Sequence, residues 1–117
     1  MKNKDCIFCK IVQGKISTKK VKETNNFIAI LDANQKTEGH TLIIPKKHFV
    51  TLLDIPNKLG EELLKLTKEI ASDILEKKHG DGFNVVMNNL QCAGQVVMHA
   101  HIHVLPRKEG DGLRMIA

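Results

Sequence analysis

Three histidines at every second position, in His99-Ala100-His101-Ile102-His103, are the residues best placed to do chemistry. Along an extended strand alternate side chains face opposite ways, so three imidazoles would share one face and Ala100, Ile102 and Val104 the other. Ser, Thr, Lys or Glu would serve a merely solvated face equally well, so half of the chain's six histidines at this spacing indicate a site. Two chemistries use such a spacing. Imidazoles two apart on a strand can chelate zinc through neutral nitrogens. Alternatively, one imidazole attacks an electrophile while its neighbours bind the anionic product, because imidazole keeps a usable lone pair near neutral pH. A second cluster is Cys6-Ile7-Phe8-Cys9, a C-x-x-C that suits metal or redox chemistry better than a structural disulfide. Cys92 stands apart and reads as a small, half-buried turn residue.

The elements that must position these groups are legible as patterns. Leu59, Leu63, Leu66, Ile70 and Ile74, widened by Leu64, Ala71 and Leu75, recur at helical spacing and predict a long amphipathic helix over 57–78. Pro56 and Asn57 start it, Glu61 and Glu62 sit in its early turns, and Lys77, Lys78 and a solvated His79 lead to Gly80. Stretches of β character at 26–32, 40–45, 83–88 and 99–106, with a weaker one at 19–23, are separated by turn residues. The residues 33–39 are short enough for a hairpin, and the long helix bridges the second and third strong strands. A short helix is expected at 7–13, beside the C-x-x-C. Together these predict an α+β fold: a mostly antiparallel sheet of about five strands with one long and one short helix.

Composition narrows the function. The 117 residues suit one domain, and 42% hydrophobic with 26% charged residues is ordinary for a globular chain. Its apolar runs are far shorter than a bilayer requires, and the charged start at Met1 to Cys9 is not followed by a signal-type stretch, so a cytoplasmic protein without a membrane partner is expected. A net charge of +5 favours anionic partners. With no Tyr, no Trp and four Phe, the chain lacks a platform for stacking single-stranded bases, which argues against a nucleic-acid polymer.

His99-Ala-His101-Ile-His103-Val-Leu resembles the H-x-H-x-H motif of the histidine triad (HIT) nucleotide-binding family, and the stretch from Gly39-His40 to Pro45-Lys-Lys-His48 resembles its second signature. With Cys6 to Cys9, Asp32 and Asn88 to Gln95, the likeness covers nearly the whole chain and points to the bacterial branch. The resemblance implies a HIT-like fold that dimerises through the long helix and an edge strand, and a hydrolase acting on nucleoside phosphoramidates or adenylylated compounds. His101 would attack the α-phosphorus and form a nucleotidyl-histidine, its other ring nitrogen donating to a backbone carbonyl such as that of His99. Asn88, Gln95 and His103 would cradle the phosphate, helped by backbone amides of 92–95 and the close approach that Gly94 allows. Asp32 would hold the ribose, and His40 would support the triad through hydrogen bonding. Val96 follows Gln95 where many phosphoramidases of the family carry Ser or Thr, so substrate preference is expected to differ. Cys6, Cys9, His48 and His99 would bind a structural, non-catalytic zinc. The implied ligand is a purine nucleotide such as AMP or GMP. A nucleotide-binding regulatory protein and a diadenosine polyphosphate hydrolase are the alternatives.

Overall fold

The computed structural model describes residues 5–114, so the expectation for the N-terminal start falls partly outside them. Among the described residues the helix α1 (Ile7–Val12) precedes the strands β1 (Lys20–Glu23), β2 (Phe27–Leu31) and β3 (Thr41–Pro45). The long helix α2 (Gly60–Glu76) then leads to β4 (Gly82–Val86) and β5 (Ile102–Arg107). The strands form one antiparallel sheet in the order β1-β2-β3-β5-β4. The expected α+β architecture is therefore present, with α2 as the crossover that carries the chain from β3 to the far edge.

Register assigns the two faces. Ile43 pairs with Ile102 and Thr41 with Val104, whereas Leu42 pairs with His103. On the first face Leu66, Ile70 and Ile74 of α2 pack against Phe27, Ala29, Ile43 and Val104. Each fully buried aliphatic side chain there contributes roughly 1.5–3 kcal/mol. On the second face Cys6, Phe8 and Cys9 at the start of α1 pack against Ile28, Ile30, Leu42 and Ile44. The apolar half of the β5 alternation thus meets α2, and the histidine half meets α1.

Helix α2 is fastened at its start by Glu62, whose carboxylate accepts hydrogen bonds from the Asn26 backbone N–H and side-chain amide, both 2.8 Å, and from the Thr24 hydroxyl. These bonds, Asn26's first, hold the Glu62 carboxyl below the usual range. The helix stops two residues before the expected Lys78, which takes a left-handed φ of 59°. Gly80 follows in a close approach: a Cβ there would lie 3.0 Å from the backbone nitrogen of Arg107 and the carbonyl of Gly82.

One expectation is corrected. The triad strand was read as 99–106, but regular pairing begins at Ile102, so His99 and His101 precede the strand. The physical reason lies in the neighbour. Pairing between β3 and β5 ends at Ile43 and Ile102, although β3 continues to Pro45 against β2, so residues 99–101 have no ladder partner on β3. Free carbonyls here are met differently: Phe49 accepts from the Ala100 N–H at 2.6 Å, and Pro45 accepts from a histidine ring.

Candidate functional site

The main chain decides where each imidazole carries its proton. His101 Nδ1 lies 2.7 Å from the carbonyl of His99, and a carbonyl only accepts, so Nδ1 bears the hydrogen and Nε2 keeps a free lone pair. His99 Nε2 lies 2.8 Å from the Pro45 carbonyl, so His99 presents Nδ1 as its lone pair. His40 is fixed the opposite way: the Lys36 backbone N–H donates to its Nδ1 at 3.1 Å, leaving the proton on Nε2. That proton is donated to His103 Nδ1 at 2.8 Å, so His103 carries its own hydrogen on Nε2. The result is an unused lone pair on His101, whose ring is buried, and an unused N–H on the half-buried His103, on rings whose centroids are 5.0 Å apart. Phe8 stands edge-on to His101 at 5.0 Å and to His99 at 5.8 Å. It holds both rings, a role the C-x-x-C pattern did not reveal.

Burial disfavours the charged forms of His99, His103 and His40. Desolvation, then the charges of His101 and His40, lowers His103 to a pKa of about 4. Burial likewise lowers His40, opposed by Asp32, whose Oδ2 is 3.5 Å from His40 Nε2. Asp32 also accepts the Asn34 N–H at 2.9 Å, so it closes its turn while flanking the histidines.

Cys6, Cys9, His48 and His99 converge as a group able to hold a metal. His99 Nδ1 is 3.2 Å from His48 Nδ1 and 3.3 Å from Cys6 Sγ, while Cys9 Sγ is 3.1 Å from His48 Nδ1 and 3.5 Å from His99 Nδ1. Tetrahedral zinc, with bonds of about 2.0–2.1 Å to nitrogen and about 2.3 Å to sulfur, requires edges of about 3.3–3.6 Å between these atom types. The donor set fits. His99 fits in tautomer as well, because its second nitrogen is satisfied by Pro45 in the manner usual for a metal-bound histidine. Burial raises the Cys6 thiol, a shift that a dication would reverse. Asp32, His40 and His103 also lie within ligand spacing of one another. Here the tautomer argues the other way, since His40 Nδ1 accepts from Lys36 and its Nε2 must keep a proton. This second group is a hydrogen-bond chain rather than a metal site.

The loop after β4 holds Asn88, Gly94, Gln95 and Val96. Gly94 adopts a left-handed φ of 98°, and a Cβ there would press on the Asn88 side-chain amide at 3.4 Å. Gln95 departs from its expected role. It is buried, and its amide donates to the carbonyls of Val50 at 2.7 Å and Val97 at 3.1 Å, while its oxygen accepts from the Leu90 N–H at 2.6 Å. Both amide protons are used, so Gln95 braces the loop and has none left for a phosphate. The N–H groups of Ala93, Gly94 and Gln95 also donate within the loop, which removes them from the expected cradle. Asn88 remains the side-chain donor, half-buried beside Gly94, and Val96 is exposed. Among the described residues no hydrogen bond joins Asn88 or Val96 to the histidines. A cavity of about 850 Å³ lies between the C-terminal half of α2 and residues 35–39, on the opposite face, and of the site residues named above only Lys36 lines it.

Residues 13–110 match the model of the HIT domain. The chain belongs to the HIT family. An adenosine 5'-monophosphoramidase of Candida albicans is 42% identical over 113 residues, which cover 92% of this chain and 74% of that protein. An adenylylsulfatase of Arabidopsis thaliana is 41% identical over 109 residues, covering 93% of this chain and 55% of that protein. The crystal structure of a Zn-bound histidine triad protein from Mycobacterium smegmatis superposes with a TM-score of 0.87 at 40% identity, covering 95% of this chain and 81% of that one.

The lowered pKa values of His103 and His40 set a pH dependence. Between a pKa of about 4 in the folded state and the unfolded value of about 6.5, the unfolded chain binds protons at position 103 that the folded chain does not. Stability therefore falls as pH drops from about 6.5 towards 4, and His40 adds in the same direction. Melting temperatures measured across this range should decline, with a shallower decline in His103→Asn, which does not titrate. An equal slope in both proteins would contradict the assignment.

Proposed function

We propose that this HIT protein is a nucleotide hydrolase or transferase that cleaves nucleoside 5'-phosphoramidates or adenylylated compounds through a covalent intermediate on His101. The observation that carries the reading is the 2.7 Å bond from His101 Nδ1 to the His99 carbonyl, which braces the ring and leaves Nε2 as the nitrogen available for attack. In the first step Nε2 bonds to the α-phosphorus as the bond to the leaving group breaks, and the leaving group takes one proton from the solvent as it departs. Water then supplies a hydroxyl to phosphorus and its remaining proton to the solution, the phosphorus–histidine bond breaks, and a nucleoside monophosphate is released. His103 Nε2–H and the Asn88 amide would donate to the phosphate oxygens, where developing charge is stabilised by fixed donors. Asp32 would accept from the ribose hydroxyls of a purine nucleotide such as AMP or GMP, with His40 holding His103. Two relatives named for cleaving adenylyl compounds support this substrate class.

Rapid quenching with an adenosine 5'-phosphoramidate should leave one adenylyl group on His101, visible by mass spectrometry of the peptide. His101→Ala should lose the adduct and at least about 10³-fold in kcat/KM. Tight AMP binding with no adduct and no turnover would favour the regulatory nucleotide-binding reading.

Cys6, Cys9, His48 and His99 would hold a structural zinc, supplying a closed four-ligand staple between α1 and the triad segment. Two thiolates with a bound metal suit a reducing compartment, which supports a cytoplasmic location. Metal analysis should find about one zinc per chain, and Cys6→Ser should lose it together with several degrees of melting temperature. Full zinc content in a Cys6→Ser, Cys9→Ser double variant would refute the ligand set.

A homodimer would form through α2 and the β4 edge, where Leu64, Leu75, Phe83 and Val85 are exposed apolar side chains. Sedimentation should give a dimer that Val85→Lys shifts to monomer; a monomeric parent protein would refute it.

A further inference from the structure

Leu90 is held in a conformation that does not suit a leucine. Its φ of 73° and ψ of 160° fall in a region populated almost only by glycine. The position is imposed by Gln95, which accepts the Leu90 N–H at 2.6 Å, and by the Leu90 carbonyl, which accepts from the N–H groups of Ala93 and Gln95, both at 3.1 Å. Glycine would take this backbone without strain. What leucine adds is a side chain, and that side chain is 53% exposed rather than packed.

Two further aliphatic side chains are more exposed still, Val96 at 89% and Leu53 at 92%. The bracing by Gln95 brings their loops together. Its amide joins Val50 to Leu90, and the Leu52 N–H donates to the Asn89 side chain at 2.8 Å. Leu90 and Val96 belong to the same loop as Asn88 and Gly94, which lie against each other and which the proposed function puts beside the phosphate. The lip formed by these loops lacks charge: no Asp, Glu, Lys or Arg occurs from Met87 to Met98 or from Phe49 to Leu53, in a chain that is 26% charged. The next carboxylate along the chain, Asp54, accepts the N–H groups of Val50 and Thr51 through Oδ2.

We propose that Leu53, Leu90 and Val96 form the leaving-group subsite, and that it selects an apolar substituent on the phosphorus, alkyl, aryl or apolar acyl, over a charged one. The proposal rests on the hydrolase reading above. An uncharged lip offers no partner to an ammonium or carboxylate that would lose water on entry, whereas a hydrocarbon gains by burial against it. Strain is kept at Leu90 because the side chain, not the backbone, is what the subsite needs.

The test uses two adenosine 5'-phosphoramidates of equal length, one of hexylamine and one of 1,6-diaminohexane with its far amine charged. The parent protein should favour the hexyl compound by about tenfold in kcat/KM, the discrimination expected of a modest apolar subsite. Leu90→Gly should raise the melting temperature by a few degrees while reducing that preference to within about threefold. Leu53→Ser, which leaves the backbone of the 90–96 loop untouched, should reduce the preference as well. A preference near one in the parent protein, or one unaltered in both variants, would overturn the proposal. A loss of dimer in these variants with the preference intact would also overturn it, assigning the lip to contact between copies. Calorimetric binding of AMP and of its hexyl ester to His101→Ala separates this from the hydrolase reading. Tighter binding of the ester supports the subsite even if the parent protein turns nothing over, and equal binding counts against it even if turnover is found.

Discussion

Main-chain groups choose the tautomer of the histidines at this site, and the rest of the arrangement depends on that choice. The carbonyls of His99 and Pro45 can only accept and the Lys36 N–H can only donate, so three bonds of 2.7, 2.8 and 3.1 Å fix His101, His99 and His40. His103 follows from His40. Reversing one ring would place two donors or two lone pairs face to face in a buried space, which is costly where water cannot intervene. The ring orientations are thus set in advance, with no ring needing to rotate before the site meets an anion.

His99 is the joint between the two clusters. Its Nδ1 faces Cys6, Cys9 and His48, its Nε2–H reaches Pro45, and its carbonyl orients His101. A metal held by that group would act on the neighbouring ring through a single residue. The same joint explains the late start of β5. Where the ladder with β3 ends, backbone carbonyls become free, and side chains and single amides use them in place of a strand partner. A fully regular strand through position 99 would have spent those carbonyls on backbone N–H groups of the neighbouring strand.

Much of this was legible in the sequence because it rests on periodicity. Leu66, Ile70 and Ile74 meet the sheet as their spacing requires, and the β5 alternation separates Ile102 and Val104 from His103 as expected, although His99 and His101 lie outside the regular strand. The four possible metal ligands converge as the family resemblance implied. Local hydrogen bonding was not legible. Nothing in the residue types says that the Gln95 amide is spent on Val50 and Val97, that Phe8 stands between two imidazoles, or that Asp32 flanks His40. Leu90 is the clearest case, since a leucine in a glycine-type conformation runs against the local preference any sequence reading must use.

The two faces of the sheet carry different burdens. The α2 face is packed with hydrocarbon, in which burial is favourable at any pH and independent of any ligand. The α1 face builds part of its interior from Cys6, Cys9, His99 and His101, groups that can ionise and that water would solvate better than a core does. Their burial is tolerable only while they remain neutral and hydrogen-bonded, or while a cation compensates them. Stability and chemistry are therefore linked on the α1 face and separable on the other. Placing the long helix and its aliphatic stripe opposite the histidines gives the sheet one packed face whose cohesion does not depend on the polar site.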